Sequence, residues 1–380
     1  MAKARKYIEF GALCLLAIGI LWWFGRSLNW SEVRTAVRNA NIYMLLAATL
    51  IICFAYLIRA FRWKAFLRPL GGSHLSHLFA ATTIGFGAVF LAGRAGEVVR
   101  PVVLPMRDPS VRPSASFVPI VVERIYDLVA VVLMFAINLI WFKPPAGLQS
   151  DFNKVRFVGI SLLTGAILGL IVLGWFRKNS TKVVDAFKSL FAKWTFIPER
   201  FAKLVVGLLA QLARALSVLV NVTELLETVF WTALLWVGVA LANLLVIRAF
   251  GVHFGFSETV FVLGWSLVAS LVPTPGGAAG AFHAATAAGL LFLGVEKEVA
   301  AAISILMHLI DFGPALLFGF VYVIKGDLNF SRLRALTSQE AVEEVVENEV
   351  LIPGGTPLDG KSLKNTAGEA LGPRLRGSTE

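Results

Sequence analysis

Charge is scarce in this sequence. Asp, Glu, Lys and Arg make up 16% of its 380 residues against 57% hydrophobic ones, which excludes a set of ordinary soluble domains. Cysteine is nearly absent too. Cys14 and Cys53 both sit inside apolar runs, where a thiol behaves as a small hydrophobe, so neither a disulfide framework nor a zinc site is expected. Of the five histidines, His74 and His77 stand three residues apart beside Gly71-Gly72-Ser73 and read as a solvated or headgroup-facing pair, not metal ligands. No GxSxG elbow, phosphate-binding loop or zinc motif occurs, so no catalytic residue, metal or cofactor is assigned.

What is present is long apolar sequence. Residues 7–24, 41–58, 157–176, 228–246 and 300–324 each supply roughly the 17–25 residues of a spanning helix, and 117–142 supplies a further run. The expected fold is all-α: a polytopic membrane helix bundle with about six full spans. The first run follows Lys3, Arg5 and Lys6 like a signal peptide, but Trp22-Trp23-Phe24-Gly25-Arg26 stands where a small-residue cleavage site is required, so a retained helix is expected. A short polar segment over 30–40 follows it, with Asn29 or Ser31 as cap.

The net charge of +11 is unevenly spread, because residues 340–380 carry eight acids and four bases. Positive-inside topology and anionic lipid headgroups account for the basic remainder better than nucleic acid does. The second run ends in Arg59-Ala60-Phe61-Arg62-Trp63-Lys64, and cations alternating with aromatic residues suit a cytoplasmic interface. Residues 143–156 then read as an external loop and 201–220 as an amphipathic helix on the basic side, which leaves both termini cytoplasmic. Residues 1–330 form the membrane domain, and 331–380, too poor in aromatic residues to build a core, are expected to be a disordered tail.

Two breaks interrupt the apolar pattern. Between 260–271 and 278–293 stands Pro273-Thr274-Pro275-Gly276-Gly277, which removes amide donors and helix preference. Earlier, the short run 78–91 leads into Gly93-Arg94-Ala95-Gly96-Glu97 and a second apolar arm after Arg100. A break within hydrocarbon survives only against protein or a water-filled cavity, so both read as re-entrant hairpins, entering from opposite faces as in inverted-repeat transporters. Charges inside the apolar sequence are expensive and so are expected to face the interior: Glu123, Arg124 and Asp127 on one run, and His308 with Asp311 three residues on. His283 is a further polar residue beside the second break.

These motifs, in this order, resemble the flippase-like transmembrane domain of lysylphosphatidylglycerol synthetases and of stand-alone bacterial and archaeal membrane proteins. The resemblance rests on Arg59 and Arg62-Trp63, Gly93-Arg94-Ala95-Gly96-Glu97 with Arg100, Glu123-Arg124 with Asp127, and Pro273-Thr274-Pro275-Gly276-Gly277, over about residues 5–325. It implies a helix bundle with two re-entrant elements that moves a charged or glycosylated lipid between leaflets. The family's proline-glycine run often leads to an acidic residue, whereas Ala279 and Phe282-His283 stand here.

The expectation is therefore a stand-alone lipid transporter of a bacterial cytoplasmic membrane, its partners being lipids with anionic or glycosylated headgroups; homo-oligomerisation stays open. Arg59, Arg62, Arg94, Glu97, Arg100, Glu123, Arg124 and Asp127 would hold the headgroup, since guanidinium forks bind phosphate bidentately. Pro273, Pro275, Gly276 and Gly277 would supply a hinge and backbone groups, with His283, His308 and Asp311 beside them. The rival readings are a membrane enzyme acting on a lipid-linked phosphate or sugar, and a non-catalytic scaffold.

Overall fold

The computed structural model describes residues 2–68, 72–111, 113–142, 149–193, 206–207, 209, 222–270, 272 and 274–325. The side chains of 2–10 and of Arg94 lie outside what is described, as do Pro273, nearly all of 201–220 and the whole of 326–380. The chain divides after Thr337, and all described residues belong to the first unit. Every regular element among them is helical: α1 Ala2–Gly25, α2 Trp30–Asn39, α3 Ile42–Leu67, α4 Leu75–Ala92, a 3-10 turn Gly93–Val98, α5 Val99–Arg107, α6 Pro113–Trp141, α7 Gln149–Lys193, α8 Val222–Ala249, α9 Phe256–Ala269, a single turn Pro275–Ala278, α10 Ala281–Phe292 and α11 Lys297–Lys325.

Six of these helices are long and apolar enough to cross a membrane, and the protein is an all-α, multi-pass membrane bundle. The set differs in one respect from the apolar runs. Leu75–Ala92 qualifies as a span, whereas the described part of α1, Gly11–Gly25, does so only jointly with α2 across an 85° bend. Gly85, inside α4, permits close packing: a Cβ on it would lie 2.5 Å from Cβ of Arg100. The starts of α2 and α3 are fixed by asparagine caps. Asn29 accepts from the Ser31 N–H at 3.1 Å, and Asn41 from Tyr43 at 3.0 Å and Met44 at 3.3 Å.

At the centre α3 and α8 run antiparallel along their whole length. At one end the Asn41 N–H donates to the Ala249 carbonyl at 2.8 Å; at the other Arg68 grips Glu227 bidentately at 2.9 and 3.1 Å. Ala48, Ile52, Ala55, Leu235, Ala242 and Val246 fill the seam, and small residues there let the helices approach closely. The outer faces keep large apolar side chains exposed, among them Leu50, Phe54, Phe230 and Val237, as lipid contact requires.

Two helical hairpins lead off opposite ends of the α3–α8 pair. The first starts just beyond Arg68, and its two ends are tied together: the hydroxyls of Ser110 and Ser73 donate to the Asp108 carboxylate and hold it below the usual carboxylate range. Its arms match in reach, since α4 spans about 27 Å and the 3-10 turn with α5 about 26 Å. The second starts just beyond Ala249. Its arms, α9 and α10, are fastened by Phe261 against Phe292, by Trp265 over Gly289, and by the Ser266 and Thr286 hydroxyls at 2.7 Å. At 14 and 12 residues these arms are each too short to cross.

Candidate functional site

The two hairpin tips meet. Gly93, at φ 63°, passes so close to the second tip that a Cβ there would lie 3.0 Å from the Thr274 carbonyl oxygen. Opposite it, Gly276, Gly277, Ala278 and Gly280 all take positive φ, and Ala278 does so as a non-glycine residue, a strained position that only surrounding packing maintains. Two prolines and three glycines over eight residues are thus what lets the chain reverse here. The turn uses its own carbonyls: Gly276 accepts from the Ala279 N–H at 3.1 Å, Thr274 from Ala278 at 3.2 Å, and His308 Nε2 meets the Gly277 oxygen at 3.1 Å. These three carbonyls of the turn thus each already have one partner within the protein.

Beside the tips lies a cavity of about 290 Å³. Its wall is mainly apolar, with Phe86, Val239, Leu263 and Phe312, but five charged residues reach it: Arg59, Glu97, Arg100, Arg124 and Asp311. Tyr56, Trp236, Ser270 and Thr274 add polar groups. Arg59 seats its guanidinium over the Phe86 ring at 4.6 Å, and no carboxylate lies within ion-pair distance of it among the described residues. Glu97 likewise has no ion-pair partner among them.

The other charges do different work. Arg62, fully buried, reaches Asp127 at 2.6 and 3.2 Å, Glu123 at 2.8 Å and the Thr232 hydroxyl at 3.3 Å. Arg100 holds both oxygens of Glu123 at 2.9 Å and stacks on Trp63 at 4.2 Å. Arg124 touches Glu123 at 3.4 Å and Asp127 at 3.7 Å while its side chain stays 43% exposed. The Trp236 indole donates to Asp127 at 3.1 Å. Arg62, Glu123 and Asp127 therefore form a buried lattice joining α3, α6 and α8 behind the cavity wall, and Arg100 and Arg124 belong to both lattice and wall.

Of the residues expected at the site, Pro273 and the Arg94 side chain lie outside the described residues. Gly277 lines the cavity, and Pro275 and Gly276 shape the tip behind it. His283 and His308 pack perpendicular at 4.8 Å between Phe24, Phe90 and Phe282, with the Gly280 N–H pointing to Nδ1 of His283 at 3.4 Å. The sequence reading missed Tyr56, Thr232 and Trp236. Tyr56 stands three residues before Arg59, and Thr232 and Trp236 four apart, so shared helix faces were the available signal.

The cavity thus lies where the two hairpin tips meet, with Arg59, Glu97, Arg100, Arg124 and Asp311 at its wall. Residues 12–319 match the model of the lysylphosphatidylglycerol synthase transmembrane region. The chain belongs to that family. It is 24% identical over 340 residues to a UPF0104 membrane protein of Pyrococcus horikoshii, covering 84% of this chain and 97% of that one. It is also 24% identical over 309 residues to the glycosyltransferase AglD of Haloferax volcanii, covering 73% of this chain and 48% of AglD. That match spans about half the length of AglD.

Proposed function

We propose that this family member moves a polar-headgroup lipid between the leaflets of a cytoplasmic membrane. The observation that carries the reading is Arg59: an unpaired guanidinium on the wall of a cavity that is otherwise mostly apolar. Among the described residues this half-buried cation has no ion-pair partner, and a phosphate-bearing headgroup would supply one while the acyl chains stay among the exposed apolar side chains outside. Arg124, half out of the lattice, is placed to add a second contact, and Glu97 faces the same space as a partner for headgroup hydroxyls or an amine.

The purified protein reconstituted in vesicles with a leaflet-resolved fluorescent phospholipid tests this. The wild type is expected to exchange lipid between leaflets without changing its mass; a mass change would make the protein a lipid-modifying enzyme. Arg59→Gln is expected to slow exchange at least tenfold, the worth of one or two charged hydrogen bonds at about 1.5–3 kcal/mol. Its melting temperature should hardly move, because no ion pair is lost. Exchange at the wild-type rate in a folded Arg59→Gln protein would refute the assignment.

Orientation is proposed with it: the Arg68 end of α3 cytoplasmic and the Ala249 end of α8 external, both termini inside. In a background freed of Cys14 and Cys53, a cysteine at exposed Lys64 should react with a membrane-impermeant maleimide only from the cytoplasm, and one at exposed His253 only from outside. Labelling of both from one side would refute the arrangement.

A further inference from the structure

Asp311 is the group on this cavity that a headgroup site does not explain. It occupies the middle of the 29-residue helix α11, so about 21 Å of helix lies to either side of it. Its Oδ1 is buried without a hydrogen-bond partner, and no cation lies within ion-pair distance of it among the described residues. A carboxylate left so is expensive in the middle of a membrane, and a bound proton removes that cost.

The neighbouring elements relieve this burden only in part, Arg59 acting through its charge from beyond ion-pair distance. From α3, Tyr56 spends its hydroxyl on the backbone carbonyl of Asp311 at 2.8 Å, and Arg59 stays over Phe86. The first tip and α5 bring Glu97 and Arg100, the latter committed to Glu123, and α6 brings Arg124, which touches Glu123 at 3.4 Å and Asp127 at 3.7 Å. From α10 comes His283, and from α11 itself His308, which is held on the Gly277 carbonyl. The parts of α4, α8 and α9 that face the cavity carry no charge: Phe86, Val89, Trp236, Leu263, Leu267 and Ser270.

Resting on the lipid-transport reading, we infer that the protein carries a proton with its lipid: Asp311 takes up one proton when an anionic headgroup binds at Arg59 and returns it when the headgroup leaves. The step is an acid–base equilibrium. An O–H bond forms between a carboxylate oxygen of Asp311 and a proton from the aqueous phase, and the same bond breaks on release. A headgroup anion brought into the low-dielectric cavity repels the Asp311 carboxylate, so lipid and proton favour each other's binding, and by linkage by the same factor. The loaded cavity then gains no net charge from lipid plus proton, so the membrane potential does not oppose the crossing.

Titration calorimetry on the full chain in detergent tests this, with dihexanoyl phosphatidylglycerol as probe because its phosphodiester keeps one charge throughout the range used. Repeating the titration in two buffers of different protonation heat counts the protons taken up. At pH 8 the wild type should take up about one proton per lipid and bind about tenfold more weakly than at pH 6, within the usual range of coupling between sites. D311N should bind equally at both pH values with no proton uptake. Wild-type binding without proton uptake overturns the inference while leaving lipid transport standing, and it needs no variant. Proton uptake that persists in D311N moves the proton to a histidine and also overturns it. Failure of the probe to bind at either pH overturns the lipid reading itself. An equal response to glycerophosphoglycerol, the same phosphodiester without acyl chains, would make the ligand a soluble phosphate ester and so overturn co-transport with lipid.

Discussion

Glu123→Gln is expected to leave almost no folded protein. The carboxylate is fully buried and accepts from Arg62 at 2.8 Å, from Arg100 at 2.9 Å and from Arg124 at 3.4 Å. Glutamine keeps the shape and one acceptor but removes the charge on which three guanidinium groups converge. Arg62 would retain Asp127, but Arg100 would retain only the Trp63 ring, and its Nε and Nη2 already lack partners. Breaking one side of a buried ion pair costs on the order of 3–5 kcal/mol, comparable to the whole stability of many domains. Size-exclusion profiles and thermal melts of the detergent extract should therefore show aggregation or a melting point far below the wild type. Removing the opposing charge as well, in Arg100→Gln/Glu123→Gln, should recover part of the loss, because the stranded cation is then gone. A monodisperse Glu123→Gln protein with wild-type melting would show that the lattice is not structural.

That result, set beside Arg59→Gln, would separate two sets of charges that look alike in sequence. Arg59 and Arg62 are three residues apart in one apolar-aromatic run, and Glu123 and Asp127 are one helical turn apart. Periodicity states that such residues share a face; it does not state what the face meets. Which cation is satisfied depends on contacts 65 residues apart for Arg62 and Asp127 and 170 apart for Arg62 and Thr232, beyond the reach of any local pattern. The apolar runs were legible because length and composition alone make a span, and the two breaks because proline and glycine are costly inside helices. Their convergence was not legible. It follows from the antiparallel α3–α8 pair, which places the start of one hairpin at the Arg68 end and of the other at the Ala249 end. That the run 78–91 belongs to a helix long enough to span was not legible either, since Gly85 and Gly87 lie within it. Glycine serves both to break a helix and to let another backbone approach, and only the neighbour, here Arg100 or the Ala315 carbonyl, decides between them.

The same ambiguity underlies the second large effect, at Gly96. A Cβ built there would lie 2.3 Å from the Ala88 carbonyl carbon and 2.3 Å from the Val89 nitrogen, both backbone atoms of α4 that cannot turn aside as a side chain would. Gly96→Ala must therefore push the 3-10 turn away from α4, and that turn leads from Gly93, pressed against Thr274, to Glu97 and Arg100. Overpacking of this kind costs about 1–3 kcal/mol where side chains yield, and the rigid backbone here places the expected loss at or above the top of that range. A displaced turn also moves Arg100 off Glu123, whose bonds at 2.9 Å tolerate little shift before the buried charges separate. Gly96→Ala should thus lose both stability and lipid exchange, the latter at least tenfold even in whatever fraction remains folded, because the tip no longer meets its partner across the cavity. Gly174→Ala is the control, since nothing lies within 4 Å of a Cβ at that glycine. If Gly96→Ala melts with the control and exchanges lipid at its rate, close apposition of the two tips is not what shapes the cavity.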